Sequence, residues 1–394
     1  GFTEETIKFD LAVALTRITF PFLFFVSLSS FFSGILNTNN KFAAAAAAPI
    51  ILNIFLILSL VISNLLNLNF EVNLSYAVSL AGLFQLIFLI FFTKRYYKPT
   101  INFKITISSK VKMFLKKLLP SIFSSGVTQI NILVGTIIAS FEAGAVSYLY
   151  YADRIYQINL AIAGIAIGTV ALPELAKNIK KGNIVNAMKM QNKSLELCLL
   201  LSLPASFGLI IASYEIISAL FGYGSFSEEN VVLTAQALKY FGFGVPAFAL
   251  IKILSNFLFA RDNTKVPFYI STFIFFLNIS ISLIYFEEIG FVIIPIATSI
   301  STWIGVLIYL TLLVKFKYFN FDLSFFTNLM KIVISLAIMT LVLYFSIKFF
   351  EDKLIYSNYY KSFYLIMIVA AAAGTYLLLA RILGVFKIKN FLKN

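Results

Sequence analysis

Apolar runs long enough to cross a bilayer recur from one end of this 394-residue chain to the other. Nothing else in the sequence constrains its fold as strongly. A hydrocarbon core of ~30 Å takes about 20 helical residues to cross. Such runs are read here as eleven spans: 11–36, 43–66, 73–93, 118–140, 145–171, 195–220, 231–259, 267–286, 289–314, 328–349 and 361–382. Runs such as Ile50–Ile62 do not alternate apolar and polar residues, so a membrane β-barrel is excluded. With 60% hydrophobic residues, 12% charged ones and a mean hydropathy of +0.93, no ordinary soluble domain fits. The predicted fold class is an all-α polytopic membrane protein with about eleven transmembrane helices.

The chain has no histidine and one cysteine, Cys198. A disulfide framework, a His/Cys metal site and histidine-based catalysis are therefore excluded. There is no Gly-rich phosphate loop, GxSxG or HExxH, so the chain is expected not to be an enzyme. No cofactor is expected. The net charge of +14 is explained by sidedness, without a nucleic-acid partner. Alternate loops hold 23 of the 31 basic residues, densest between Lys94 and Lys117 and between Lys177 and Lys193. The opposite loops hold only Lys8, Lys348, Lys353 and Lys361, along with Glu71, Glu142, Glu228, Glu229, Glu287, Glu288, Glu351 and Asp352. By the positive-inside rule the basic side is cytoplasmic and the C-terminus is inside. Between spans three and four, Ile107–Leu119 interleaves lysines with Val111, Met113, Phe114 and Leu115, the pattern of a helix lying on the membrane surface.

The first two spans resemble the seventh and eighth. Ala14-Leu15 matches Ala237-Leu238, Lys41 matches Lys265, Pro21 matches Pro246, and Leu52-Asn53-Ile54 matches Leu277-Asn278-Ile279, at offsets of 223 to 225. Two copies in the same membrane sense predict a parallel repeat of two lobes. Projected back by the same offset, spans 118–220 would fall before Gly1. The arithmetic predicts that roughly a hundred residues and three helices are absent, leaving a truncated N-terminal lobe. The expected organisation is a partial N-terminal lobe at 1–93, an amphipathic cytoplasmic linker at 94–117, a six-helix C-terminal lobe at 118–314 and a C-terminal helix pair at 315–394.

Ionisable side chains at membrane depth are functional candidates by default. Asp153 and Arg154 lie about 12–14 Å into the fifth span at 1.5 Å per residue. Tyr150, Tyr151 and Gln157 extend the same polar face. One reading is a polar cavity with Arg154 as an anion ligand; the other is a charge paired to a neighbouring helix. Arg17 sits inside the first span and Lys252 deep in the seventh; either could line the cavity, or Arg17 could snorkel. Ser125 and Gln129, with Ser121, form one face of the fourth span, which suits cavity lining or interhelical hydrogen bonding. Lys239, Glu196 and Glu215 lie nearer span ends, where their charged heads can snorkel. Gly164 and Gly168 form a GxxxG that suits close helix packing.

Leu15–Asn53 (LTRITFPFLFFVSLSSFFSGILNTNNKFAAAAAAPIILN), Leu119–Ser140 (LPSIFSSGVTQINILVGTIIAS), Gly144–Gln157 (GAVSYLYYADRIYQ), Gly164–Leu175 (GIAIGTVALPEL) and Ala260–Pro267 (ARDNTKVP) resemble the MurJ/MviN family of lipid II flippases. The resemblance covers nearly the whole chain and weakens after about Lys315. It implies a two-lobed transporter of fourteen helices that flips undecaprenyl-pyrophosphate-linked peptidoglycan precursor outward across the bacterial inner membrane by alternating access, for cell-wall synthesis. It also implies membrane lipid as a partner and coupling to an ion or to membrane potential. Arg154 falls on the family's cavity arginine of the eighth helix, and Arg17 on an arginine at the start of the fourth. The chain departs from the family in lacking the first three helices, in Gln157 where many members have Glu, and in Asn159 where many have Pro. Alternative readings are a flippase for another polyprenyl-pyrophosphate-linked glycan, or a multidrug or cation antiporter of the same superfamily.

Overall fold

A computed structural model describes residues 6–39, 41–97, 109, 111–113, 129–161 and 167–385. Among them the regular structure is helical: α1 (Thr6–Thr19), α2 (Pro21–Thr38), α3 (Phe42–Leu65), α4 (Phe70–Thr93), α5 (Gln129–Ala139), α6 (Ala145–Leu160), α7 (Ile167–Lys180), α8 (Ile184–Ile211), α9 (Ser213–Phe221), α10 (Glu228–Phe259), α11 (Lys265–Ile289), α12 (Ile293–Lys315), α13 (Leu323–Phe349), α14 (Glu351–Leu354) and α15 (Lys361–Ile382). Eight described stretches are long and apolar enough to cross a membrane, and one of these, Lys265–Lys315, holds both α11 and α12. They account for nine of the eleven predicted spans. Of the other two, 118–140 is described only from α5 onward. For the fifth span, 145–171, α6 covers the first part, and α7 ends at Lys180, beyond the predicted end at 171. Most of Ile107–Leu119, together with Ser121, Ser125 and Gly164, lies outside the described residues.

The chain divides into two compact units, 1–115 and 116–394. In the first, α4 is the helix against which α1, α2 and α3 all pack. Its buried side is lined with small residues, Ser75, Ala77, Ala81 and Gly82. A Cβ on Gly82 would lie 2.7 Å from the Phe22 ring, so glycine there lets α2 approach.

In the second unit α10 is the hub, packed by α6, α7, α8, α9, α11 and α12. A helix with neighbours on most sides is apolar over most of its surface, and buried residues recur along α10 from Val231 to Leu258. Its first half joins a core of Ile138, Ala152, Ile155, Leu209, Ile217 and Ile294. Its second half joins Leu175, Leu195, Tyr309, Leu313 and Phe319. The α13–α15 pair packs on α8 through a third cluster that includes Leu200, Ile332, Leu336, Leu365 and Ile368.

Proline inside such a helix removes the N–H that would bond to the carbonyl four residues earlier. In hydrocarbon no water replaces that donor. Pro246 frees the Gly242 carbonyl in this way, and Ser206 Oγ of α8 donates to it at 2.7 Å. Two donors from α12 serve nearby carbonyls of α10: Ser299 Oγ bonds to the Tyr240 oxygen at 2.7 Å and Trp303 Nε1 to the Phe243 oxygen at 2.9 Å. Pro204 frees the Leu200 carbonyl of α8, and Tyr376 OH of α15 donates to it at 2.8 Å. With these partners α8 and α10 stay continuous. Pro21 behaves differently: the first span breaks there into α1 and α2, and Ser79 of α4 donates to the Ile18 carbonyl beside the break.

The connections of the second unit gather at two ends. At one end Arg261 donates to the Phe257 and Tyr318 carbonyls, and Asn192 Nδ2 to the Asn320 carbonyl. This end carries Lys177, Lys180, Lys181, Lys265, Lys315 and Lys317. At the other end the Phe291 N–H donates to Glu142 Oε2 at 2.6 Å, Tyr148 OH to Asn230 Oδ1 at 3.0 Å and Tyr356 OH to the Phe226 carbonyl at 2.7 Å. The basic and acidic loops therefore segregate in space as they alternate in sequence.

Two outcomes are expected. Ser206→Ala should lower stability in detergent unfolding by about 1 kcal/mol, within the ~0.6–1.7 kcal/mol found for such bonds between membrane helices. In a Pro246→Ala background, where the backbone N–H is restored, the cost should fall close to zero; an equal loss in both backgrounds removes the stand-in role of Ser206. Cysteines placed at Glu142 and Glu228 should react with an impermeant thiol reagent added to spheroplasts, and a cysteine at Lys181 should not. Reaction at Lys181 reverses the sidedness.

Candidate functional site

The residues that could carry chemistry at membrane depth centre on α6. The turn before it needs glycine: Gly144 has φ +77°, and a Cβ there would lie 2.7 Å from the Tyr148 hydroxyl. From that turn α6 presents two faces. Ala145, Ala152, Ile155 and Tyr156 are buried, and Tyr156 stacks on Phe241 of α10 with ring centroids 5.2 Å apart. The opposite face holds Tyr150, Arg154, Gln157 and Ile158, all exposed from the unit that carries them.

On that face each polar group is held by a residue one turn away. Arg154 donates to Tyr150 OH at 3.0 Å, and its guanidinium carbon lies 4.6 Å from the Tyr150 ring centroid. Asp153 accepts from the Gln157 side chain. Neighbours in sequence do not face each other on a helix. Accordingly, among the described residues no carboxylate forms an ion pair with Arg154, whose charge is held against a tyrosine ring and hydroxyl. The arrangement offers a preoriented planar cation with donors to spare, flanked by a carboxylate already tied to an amide.

The other predicted site residues are placed apart from this stripe or at its margin. Tyr151 lies in a ring cluster, 4.8 Å from Phe221 and 5.3 Å from Phe226, so it shares the helix with Arg154 but packs against the α9–α10 connection. Gln129 opens α5 and is exposed, and Lys252 is an exposed residue of α10. Arg17 is exposed in the last turn of α1, within the first unit. Ser125 is outside the described residues.

Two charged residues differ from expectation. Glu196 does not snorkel: its side chain is 7% exposed and sits 3.4 Å from Lys193 Nζ, and its Oε1 accepts from Asn328 of α13 at 3.0 Å. Lys361 is not a solvated loop residue but is 1% exposed. In both cases one partner lies more than a hundred residues away in sequence, Asn328 for Glu196 and Gly222 for Lys361, and no local pattern announces it. A polar cavity of about 520 Å³ is lined by Glu174, Lys189, Lys193, Glu196, Asp322 and Asn328, among others. It lies between α7, α8 and α13 and does not include the α6 stripe.

Comparison with known proteins places this geometry. The family model described as "Lipid II flippase MurJ" matches residues 1–365. A probable lipid II flippase MurJ of Rickettsia prowazekii (strain Madrid E) is 39% identical over 307 residues, 77% of this chain and 60% of the relative. One from Rhizobium meliloti (strain 1021) is 37% identical over 87% of the chain and 65% of the relative. The chain thus spans less than two thirds of the length of these two relatives. It covers 77% of a third, from Buchnera aphidicola subsp. Acyrthosiphon pisum (strain APS), which is 31% identical over 100% of the chain. The solved structure of lipid II flippase MurJ in an inward closed conformation aligns over 94% of this chain and 73% of its own, with a TM-score of 0.76 and 27% identity. A MATE structure in complex with MaL6 is 15% identical with a TM-score of 0.56, a likeness of fold alone. The chain is a multi-pass protein of the bacterial inner membrane, and it belongs to the lipid II flippase MurJ family.

Proposed function

We propose that this chain serves to flip lipid II, the polyprenyl-pyrophosphate-linked peptidoglycan precursor, from the inner to the outer leaflet of the cytoplasmic membrane by alternating access. The observation that carries this reading, beside family membership, is Arg154: a mid-span arginine on the face of α6 that its own unit leaves uncovered, with no described carboxylate paired to it. A lone cation facing lipid at that depth would cost several kcal/mol. A water-filled path for a charged substrate removes that cost.

The chemistry suits a diphosphate. Guanidinium stays protonated at any working pH and meets two phosphate oxygens with parallel N–H bonds. Tyr150 stacked beneath it limits its rotamers, so less freedom is lost when an anion binds. Asp153 accepts from Gln157 and not from the guanidinium, so the donors of Arg154 are not taken up by it. Tyr150 and Gln157 could add neutral hydrogen bonds to phosphate or sugar. Arg17 and Lys252 are proposed as further cationic lining, with Gln129 and Ser125 as polar lining.

In this reading residues 1–93 belong to an N-terminal lobe, 94–117 link it to a C-terminal lobe at 118–314, and the helix pair at 315–394 carries the lipid tail. The basic end of the second unit faces the cytoplasm, as does the C-terminus. The chain acts as a transporter and not as a catalyst, with outward movement drawn from an ion gradient or the membrane potential.

Arg154→Ala should abolish complementation of a flippase-depleted strain while membrane abundance stays near normal. Arg154→Lys should restore function only in part, since a point charge loses the bidentate geometry. If Arg154 instead neutralised a buried carboxylate, Arg154→Ala would strand that charge at about 3–5 kcal/mol and deplete the protein. Full complementation by Arg154→Ala would overturn the assignment.

A further inference from the structure

The α13–α15 pair rests on α8 through an apolar seam. In lipid such a seam gives little preference for being together, because acyl chains offer equivalent contact. The contacts that can fix its position are polar, and they occur at three depths. At the basic end Asn328 of α13 donates to Glu196 of α8. Midway, Tyr376 of α15 donates to the carbonyl freed by Pro204. At the opposite end stands Lys361.

Lys361 is 1% exposed, and no described carboxylate pairs with it. Its ammonium donates to the Gly222 and Tyr356 carbonyls, both at 2.7 Å. The same nitrogen lies 4.4 and 4.5 Å from the ring centroids of Tyr223 and Tyr356. Gly222 caps the C-terminus of α9, where unpaired carbonyls and the negative end of the helix dipole attract a cation. A Cβ on Gly222 would lie 2.6 Å from the Ser218 carbonyl oxygen and 3.2 Å from this nitrogen, so glycine suits the tight end of α9 on which the ammonium sits. The next residue repeats the tie: Ser362 Oγ donates to the Ala219 carbonyl at 2.7 Å.

We propose that Lys361 is a positioning residue, a cationic latch that holds α15 on the end of α9 and so keeps the α13–α15 pair attached to the helices around α10 throughout the transport cycle. Its effect on transport rests on the flippase reading above, whereas the latch itself can be measured apart from it. Spin labels at the exposed residues Val232 and Ile382 should give one narrow distance distribution in the parent protein. In Lys361→Met at normal abundance the distribution should broaden, and flipping should fall by about tenfold, within the span of ordinary couplings between sites. Cross-linking Ala219→Cys to Ser362→Cys with a short thiol reagent should leave the parent active and restore flipping to Lys361→Met.

A narrow distribution in Lys361→Met overturns the latch. So does arrest of the parent by the cross-link, because the pair would then have to leave α9 during transport. If Lys361→Met is depleted from the membrane, Tyr223→Leu and Tyr356→Leu, which strip the rings but leave both carbonyls, take its place with the same two outcomes. Should the parent not flip lipid II at all, the flippase reading fails, and the spin-label arm still decides the latch.

Discussion

A backbone in hydrocarbon has no water to fall back on, so every N–H and C=O must find its partner inside the protein. In the second unit the prolines show what that requirement builds. Each removes one donor from its helix, and for Pro246 and Pro204 the missing donor comes from a different helix: Ser206 in one case and Tyr376 in the other. These are specific, directional contacts in a medium where apolar packing discriminates poorly. They fix which residues of α8, α10 and α15 lie opposite one another. α6 packs on the same α10 through Tyr156 and Phe241, and this leaves Arg154 on its outward face.

The same scarcity of partners explains how charges are treated. Lys361 and Glu196 are enclosed and receive hydrogen bonds or ring faces from neighbouring helices. Among the described residues, Arg154 is met by a tyrosine of its own helix, on a face the unit leaves open. Two of these groups are therefore used up in holding helices together, and the third keeps unspent hydrogen-bonding capacity. That difference separates an architectural charge from one available to an anion.

Much of this was legible in the sequence, for reasons that are local. Runs of apolar residues long enough to span announce helices because their cause lies within a few residues. Tyr150, Arg154 and Gln157 were legible as one face because helical spacing brings them together. Tyr151 was not separable from them, since what draws it aside is a ring cluster formed by Phe221 and Phe226. Nor could the sequence, which pairs Pro21 with Pro246, tell that a helix ends at the first while the second lies inside one. The deciding donors around Pro246 sit on α8 and α12, and their presence is a tertiary fact. Lys361 was read as a loop lysine for the same reason.

The tie between Tyr376 and the Leu200 carbonyl spans 176 residues of sequence, against 36 for Ser206 and Gly242. During synthesis the two proline gaps are thus closed at very different times. The gap in α10 can be closed almost as soon as α10 enters the membrane, because α8 is already there. The gap in α8 must wait until α15 has left the ribosome. Through that interval α8 carries an unanswered carbonyl near its middle, a point where the translocon, a lipid headgroup or a trapped water has to serve. A nascent chain stalled before residue 376 would hold α1 to α13 and still be recognisably unfinished, and a membrane protease or chaperone could read that one open group as the mark of incompletion.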